Sequence, residues 1–145
     1  EIQATYLIPP NSKLQNISEV DKTGNKIAVA SRTAYGLWLE RNIHNAELIQ
    51  VEGVGNSFDV FLNENLDALA GLRPALIDDV KKIPGAKILE GQFMSVQQAI
   101  GTSNKNIKSS IYIAKFVEEM KKNGFVQKLI DKHNVNGKLS VADLA

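Results

Sequence analysis

The sequence predicts an α/β fold: a three-layer open sheet with helices on both faces, followed by a C-terminal helix pair. Two observations lead to this prediction. Short apolar runs, such as KIAVA at 26–30, alternate with segments whose apolar residues recur at helical spacing. The connections between them are short, which is typical of βαβ units and a mainly parallel sheet. With 145 residues, 43% of them hydrophobic, the chain is also long enough to bury a core without a disulfide or metal.

The elements follow in order from local signals. Pro9-Pro10 ends the first strand because proline cannot donate to a ladder, and Gly55-Asn56-Ser57 is a plausible start for the second helix. Pro74 suits the first turn of the third helix, which Pro84-Gly85 ends. The predicted strands are 4–8, 26–30, 46–51, 66–70, 87–89 and 98–102. The predicted helices are 33–43, one beginning at 55–57, 74–83, 107–122 and 124–133, with a helical turn at 17–20.

Composition excludes several classes of protein. The chain has 17 Lys and Arg against 16 Asp and Glu, without a basic block, so nucleic acid is not expected as a partner. Cysteine is absent and there are only two histidines, so neither a metal site nor a cofactor is expected. The longest uncharged stretch, 91–104, is too short and polar to span a membrane. Because the chain begins at Glu1 rather than Met, we expect that a segment was removed upstream.

No catalytic motif is present, and we do not expect an enzyme. There is no P-loop, and in the segment 53–58 Phe58 stands where the third glycine of a dinucleotide fingerprint belongs. Ser31 lacks the flanking glycines of a nucleophile elbow. Asp78-Asp79 lies beside two lysines in a predicted helix, as expected for a solvated face.

The arginines are distributed unevenly. The chain has only three, and Arg32 and Arg73 each follow the end of a predicted strand. Ligands of open α/β sheets bind at the carboxyl ends of strands, where a helix amino terminus and an arginine fork can hold an anion. Two interpretations stay open at this point: an anion site, or arginines on a solvated surface.

Six segments in order resemble the second lobe of bacterial ABC-importer solute-binding proteins, in the subgroup that binds polar amino acids. These segments are 4–9, 17–29, 31–35, 57–68 with the "DA" pair Asp67-Ala68, 98–101, and 113–130. The resemblance covers residues 2–137. It implies a periplasmic-binding-protein-like lobe, with a C-terminal helix pair that belongs to the other lobe.

The resemblance implies a division of the chain. Residues 1–8 would be the first crossover strand, 9–95 the second lobe, 96–134 the return crossover with the helix pair of the first lobe, and 135–145 a tail. The hinge between the lobes would lie at Tyr6, Leu7, Val96 and Gln97.

The resemblance also implies a ligand site. Ser31, Arg32 and Thr33 would hold an anionic or hydroxyl group, and Leu72 and Arg73 would line the same wall. Members that bind α-amino acids usually carry an aspartate five residues after the "DA" aspartate, where this chain has Leu72. An ammonium group there would meet an apolar side chain and a like charge. The expected ligand is a small polar solute, an amino acid or an organic acid, and these two residues favour an acidic or neutral ligand over a standard amino acid.

The function that the resemblance implies is capture of a small solute in the periplasm, or at the cell surface, and delivery to an ABC permease. Two alternatives share the fold. One is the effector domain of a LysR-type transcriptional regulator, and the other is a dehydratase of cyclic acids, which would need a positioned general acid. The upstream coding sequence would separate the importer from the regulator.

The predicted helices 107–122 and 124–133 carry more apolar residues than one narrow stripe requires. These residues are Ile107, Ile111, Ile113, Ala114, Phe116, Val117, Met120, Phe125, Val126, Leu129 and Ile130. In the complete family fold they would pack on the first-lobe sheet, most of which is not in this chain. An apolar surface of this size is not normally left in water. We expect a homodimer through Ile107–Ile130, or else folding of this arm onto the second lobe.

Overall fold

The computed structural model describes all 145 residues, Glu1–Ala145, and they form two compact units. The sheet unit comprises Gln3–Val96, and the helical unit comprises Glu1–Ile2 with Gln97–Ala145. The predicted α/β class, with an open sheet and helices on both faces, is confirmed. No helix is long and apolar enough to cross a membrane.

The sheet has six strands, in the order β3-β2-β4-β1-β5, with β6 also paired to β1. The strands are β1 (Ile2–Ile8), β2 (Lys26–Ala30), β3 (Glu47–Val51), β4 (Ala68–Leu72), β5 (Lys87–Ile88) and β6 (Met94–Val96). β2 runs parallel to both β3 and β4, whereas β1 runs antiparallel to β4 and β5. The expectation of a mainly parallel sheet is therefore wrong for β1. This strand has no crossover helix before it and enters the sheet at the edge where β4 ends.

Helices cover both faces of the sheet. α1 (Ala34–Asn42) packs on one face, while α2 (Val54–Asn63) and α3 (Arg73–Val80) pack on the other. Alternate strand residues point to opposite faces, as the pleat requires. The first core contains Tyr6, Ile27, Val29, Tyr35, Leu39 and Ala70, and the second contains Leu7, Ala28, Phe58, Phe61, Leu69 and Leu76.

Several predicted boundaries are wrong by two or three residues. β1 begins at Ile2 rather than Ala4, and α3 ends at Val80 rather than Ile83. β4 begins at Ala68 rather than Leu66, because the Leu66 amide donates to the Phe61 carbonyl at 3.1 Å and closes the end of α2. The Asp67 carboxylate then accepts the amide of Lys26 at 2.8 Å, which joins the beginnings of β2 and β4. α2 starts earlier than predicted, at Val54, after Gly53 with φ +90°.

The predicted strand 98–102 is absent. All five residues are exposed and have no regular structure, because no neighbouring strand gives the segment a partner. The chain instead forms β6 just before it, at Met94–Val96, which the sequence patterns did not indicate.

The helical unit contains α4 (Ile107–Lys122) and α5 (Phe125–Lys132), separated by Gly124 with φ +76°. Residues 135–145, the predicted tail, are attached to the helical unit at several points. Lys121 Nζ donates to the Asp143 carbonyl at 2.7 Å, and the Ala145 amide donates to Glu118 at 3.1 Å. The amino group of Glu1 donates to the Ser140 carbonyl at 2.9 Å.

Gly36→Ala is expected to destabilise the sheet unit. A Cβ at this position would lie 2.6 Å from the Ala30 carbonyl and 2.8 Å from Thr33 Oγ1, both part of the turn after β2. Overpacking of this kind costs about 1–3 kcal/mol. Gly55→Ala is the matched control, because this glycine lies in α2 with open space around it and should gain about 0.5–1 kcal/mol. Urea denaturation of both variants measures the difference, and equal stabilities would contradict the packing argument.

Asp21 is expected to make the stability depend on acid pH. Its carboxylate accepts the backbone amides of Asn45 at 2.7 Å, Ala46 at 2.8 Å and His44 at 3.1 Å. Burial raises the pKa of Asp21, but these hydrogen bonds lower it by more, so the pKa lies below its ordinary value of 3.8. The stabilisation is therefore fully present above pH 3.8 and is lost as the pH falls through the lowered pKa.

The measurement for Asp21 is chemical denaturation of the wild type and of Asp21→Asn across acid pH. At neutral pH the variant should be less stable by about 1 kcal/mol, and the difference should shrink as the pH falls. A difference that stays constant down to pH 2 would show that the charge of Asp21 is not what stabilises the loop.

Candidate functional site

The carboxyl ends of β2, β4 and β3 lie at one edge of the sheet, because these strands are parallel. The turns that follow them bring Ser31, Glu52 and Arg73 to this edge. β1 enters the sheet at the same edge with Gln3, and the segment after β5 reaches this edge at Gly91, whose carbonyl accepts a hydrogen bond from Arg73. The sheet topology thus brings together the two turns that the sequence analysis singled out.

The turn Ser31-Arg32-Thr33 has a defined backbone. The Ser31 amide donates to the Val51 carbonyl at 2.8 Å, which extends the pairing of β2 with β3 by one residue. Arg32 has φ +60°, a left-handed conformation that is uncommon for a residue other than glycine, and its side chain is exposed. Thr33 is the N-cap of α1: Oγ1 accepts the Gly36 amide at 3.0 Å and donates to the Ala30 carbonyl at 2.8 Å.

Tyr35 lies directly behind this turn and is buried in the first core. Burial raises the pKa of its hydroxyl, and a hydrogen bond with the Thr33 side chain lowers it to a smaller extent. The tyrosine is therefore neutral at physiological pH and supports the turn by packing.

Arg73 begins α3 and is half-buried, with its guanidinium held by two neutral acceptors. Nε donates to Gln3 Oε1 at 2.6 Å, and Nη2 donates to the Gly91 carbonyl at 2.5 Å. Arg73 forms no ion pair. A guanidinium has five N–H donors, so those of Nη1 and one of Nη2 are not used by these bonds.

Leu72 is the last residue of β4 and packs partly against the first core. Its side chain is half-buried, so it offers the edge an apolar surface without a hydrogen-bonding group. The structure therefore places all five predicted ligand-binding residues at one edge of the sheet; their binding role stays a prediction.

Gln3 and Gly91 were missed by the sequence analysis. The register that pairs Ala4 with Leu72 brings Gln3 opposite Arg73 when it is continued by one residue. The antiparallel pairing of β1 with β4 is the signal that would have found Gln3. The segment after Gly91 is fixed by the Phe93 amide, which donates to the Ala4 carbonyl at 3.0 Å.

An aromatic cluster anchors Phe93 further. Its ring lies 4.7 Å from the ring of Tyr6 and 5.4 Å from that of Trp38, measured between centroids. Burial raises the pKa of Tyr6, and the nearby charge of Asp21 raises it further, so the hydroxyl stays protonated. These contacts hold the segment that supplies the Gly91 carbonyl.

Three of the four predicted hinge residues belong to strands of the sheet: Tyr6 and Leu7 in β1, and Val96 at the end of β6. Tyr6 pairs with Ala70 and Leu7 with Leu69, and both side chains are buried. Val96 and Gln97 lie where the chain leaves the sheet unit, and the other passage is Ile2–Gln3. The hinge role of all four residues stays a prediction. Bending β1 near Gln3 would break fewer strand hydrogen bonds than bending it at Tyr6.

The helical unit contains a groove of about 980 Å³ that none of the predicted site residues lines. It is bordered by the 98–104 segment and the apolar sides of α4 and α5. Ile107 is 68% exposed and Phe116 is 44% exposed, so the apolar side chains on which the dimer prediction rests are accessible. No group of three or more His, Asp or Glu side chains in the chain is placed to hold a metal.

A scan against protein-family models found no match, and neither did a search of curated protein sequences. Solved structures do match. A mutant of ArgBP from T. maritima superposes with a TM-score of 0.64 and 18% identity over 90% of this chain and 57% of that protein. The substrate-binding protein of an amino acid ABC transporter gives 0.62 and 20%, over 90% and 58% of the two chains. An ancestral cyclohexadienyl dehydratase gives 0.58 and 16%, over 90% and 56%.

At these identities the likeness shows the fold, and the chain spans a little more than half the length of the proteins it matches. Most of the similar structures are binding proteins, and one is a dehydratase ancestor. The chain has the fold of amino-acid-type solute-binding proteins, as its resemblance to that family predicted.

Proposed function

We propose that this chain is the solute-binding part of an ABC importer and binds a small organic acid, or another polar solute, at the carboxyl edge of the sheet unit. The observation that carries the proposal is the pair of turns at Arg32 and Arg73, which follow neighbouring parallel strands. Arginine forks match carboxylates geometrically, and neither guanidinium is neutralised by an ion pair.

The residues at the edge also favour a ligand without an ammonium group. The position where amino-acid-binding members of the family carry an aspartate is Leu72, whose side chain cannot accept a hydrogen bond. The next residue, Arg73, carries a charge of the same sign as an ammonium. Burying an ammonium against these two residues would cost desolvation without a compensating charge. ArgBP and the substrate-binding protein of the amino acid transporter share the fold of this chain. The difference that we propose between them and this chain therefore concerns the ligand and not the fold.

The division of the chain follows from the same proposal. The sheet unit would be the second lobe, and the helical unit would belong to the first lobe. A solute between the two lobes would be enclosed by a hinge at the passages Ile2–Gln3 and Val96–Gln97. Closure of the complete protein would present the bound form to a membrane permease, outside the cytoplasm.

The dehydratase alternative is favoured by one specific observation, the similarity to an ancestral cyclohexadienyl dehydratase. The turns at Ser31–Thr33 and Leu72–Arg73 contain no histidine or glutamate, but Glu52 and Glu90 lie at the same edge of the sheet. Either carboxyl group could serve as a general acid if it faced a cyclic acid. The LysR effector alternative is distinguished by a helix-turn-helix encoded upstream.

Arg73→Ala is expected to weaken binding of organic acids by at least about tenfold, the ratio that corresponds to one charge-assisted hydrogen bond. The measurement is calorimetry with a panel of organic acids and standard amino acids. The panel includes a cyclohexadienyl acid, and its conversion to an aromatic product would indicate the dehydratase. Arg41→Ala is the matched control, because Arg41 lies at the far end of α1. Tight binding of ordinary amino acids together with unchanged binding by Arg73→Ala would refute this site.

The apolar side of α4 and α5 is proposed to pair with a second copy of the chain through Ile107–Ile130. Burying one large apolar side chain contributes roughly 1.5–3 kcal/mol, and six such residues are more than one-third exposed. They are Ile107, Ile111, Tyr112, Phe116, Phe125 and Leu129.

Light scattering coupled to size-exclusion chromatography is expected to give the mass of a dimer at high micromolar concentration. Phe116→Asp places a charge among the apolar side chains and should return the mass to that of a monomer. Lys108→Asp, on the same helix but outside the groove, should leave the dimer intact. A wild-type monomer with ordered α4 and α5 would refute the dimer and favour an arm folded on the sheet unit.

A further inference from the structure

Two arginines of the sheet unit lie just beyond the carboxyl ends of two neighbouring strands. β2 and β4 are parallel, with Ile27 paired to Ala68 and Ala28 paired to Leu69. Continued along both strands, this register brings Arg32 opposite Arg73. Paired strands lie about 4.8 Å apart, so the two turns begin side by side at this edge. From there the chain continues to α1 on one face of the sheet and to α3 on the other, and the two arginines border the gap between them.

Neither charge is neutralised within the chain. The ion pairs of the sheet unit join Lys26 to Glu47, Lys81 to Asp78 and Lys82 to Asp79. Arg73 is instead held by the neutral oxygens of Gln3 and Gly91, which fix its direction and leave its charge in place. Glu52 and Glu90 belong to the same edge, and neither lies within ion-pair distance of an arginine.

A ligand that carries two negative charges can compensate the charges of both guanidinium groups at this edge, whereas a ligand with one carboxylate supplies only one compensating charge. Leu72, beside Arg73, suits a short hydrocarbon link between two charged groups better than a third polar group.

We infer that the site selects a dicarboxylate without an ammonium group, with Arg32 and Arg73 each holding one carboxylate and Gln3 acting as the positioning residue for Arg73. This inference rests on the proposed function and names the ligand class of the same site. Gln3 acts through Arg73: its oxygen keeps the guanidinium oriented without supplying a charge that would compete with the ligand.

The experiment is calorimetric titration of the 145-residue chain with four matched probes. Succinate carries two carboxylates, butyrate has the same carbon number with one, and aspartate adds an ammonium to the succinate skeleton. Inorganic phosphate tests for a single doubly charged centre. Succinate is expected to bind at least about tenfold more tightly than each of the other three.

Three variants test the residues. Arg32→Ala should reduce the succinate-to-butyrate affinity ratio to about one. Gln3→Glu should also reduce this ratio to about one, because a carboxylate in place of the amide would pair with Arg73. The melting temperature of the variant serves as the control that it is folded. A purely structural role of Gln3 would lower stability without changing this ratio. Arg41→Ala should leave the ratio unchanged.

The outcomes separate the ligand class from the function. The dicarboxylate assignment would be overturned if butyrate bound as tightly as succinate, or if aspartate or phosphate bound more tightly. In that case, shifts of the amide NMR signals of Ser31–Arg32 and Leu72–Arg73 on adding the ligand would still support solute binding at this edge. If none of the four probes nor any compound of the wider panel binds, both the inference and the proposed function fail.

Discussion

The parallel pairing of β2 with β4 is the interaction on which the arrangement of the sheet unit depends. β2 is parallel to β4 on one side and to β3 on the other, so the helices α1 and α2 must both cross over the sheet. The two crossovers run in opposite directions, which places α1 on one face and α2 on the other. The pairing of β2 with β4 also sets the two arginine turns side by side. Both strands are rich in alanine, and small side chains let the helices approach the sheet closely. The contact of Gly36 with the Ala30 carbonyl shows how close α1 lies.

β1 sets the second constraint, because it inserts between β4 and β5 in the opposite direction. Its buried Thr5 donates to the Leu89 carbonyl at 3.1 Å, so this buried hydroxyl has a partner. The antiparallel register brings the beginning of β1 to the edge where β4 ends. Without this reversal, Gln3 would lie at the opposite edge and Arg73 would lose its side-chain acceptor.

Much of the fold could be predicted from local patterns of apolar residues, because these patterns depend on which side chains are buried. KIAVA is apolar at every position after Lys26, as a strand covered on both faces must be, and α4 has the predicted bounds of Ile107–Lys122. The predictions were wrong where a partner decides the structure. Residues 98–102 are apolar enough for a strand but have no neighbour to pair with, and the start of β4 depends on the hydrogen bond between Asp67 and Lys26.

The same distinction applies to the candidate site. Arg32 and Arg73 could be found from sequence because each follows an apolar run that ends at a turn. The partners of Arg73 could not, since Gln3 is 70 residues away and the Gly91 carbonyl belongs to the backbone, which carries no residue-specific signal. The left-handed backbone of Arg32 was equally hidden, because arginine is not a residue that marks such a conformation.

The chemistry of the Arg73 contacts decides what the site can hold. A carboxylate at residue 3 would have fixed the guanidinium equally well, but it would also have cancelled the charge, as ion pairs at surfaces commonly do. An amide and a carbonyl fix the direction alone. Because a charged group held by neutral dipoles keeps its field, Arg73 stays attractive to an anion although it is part of the fold. An anionic ligand at this edge would interact with that field, which links the stability of the edge to the charge of the ligand it would bind.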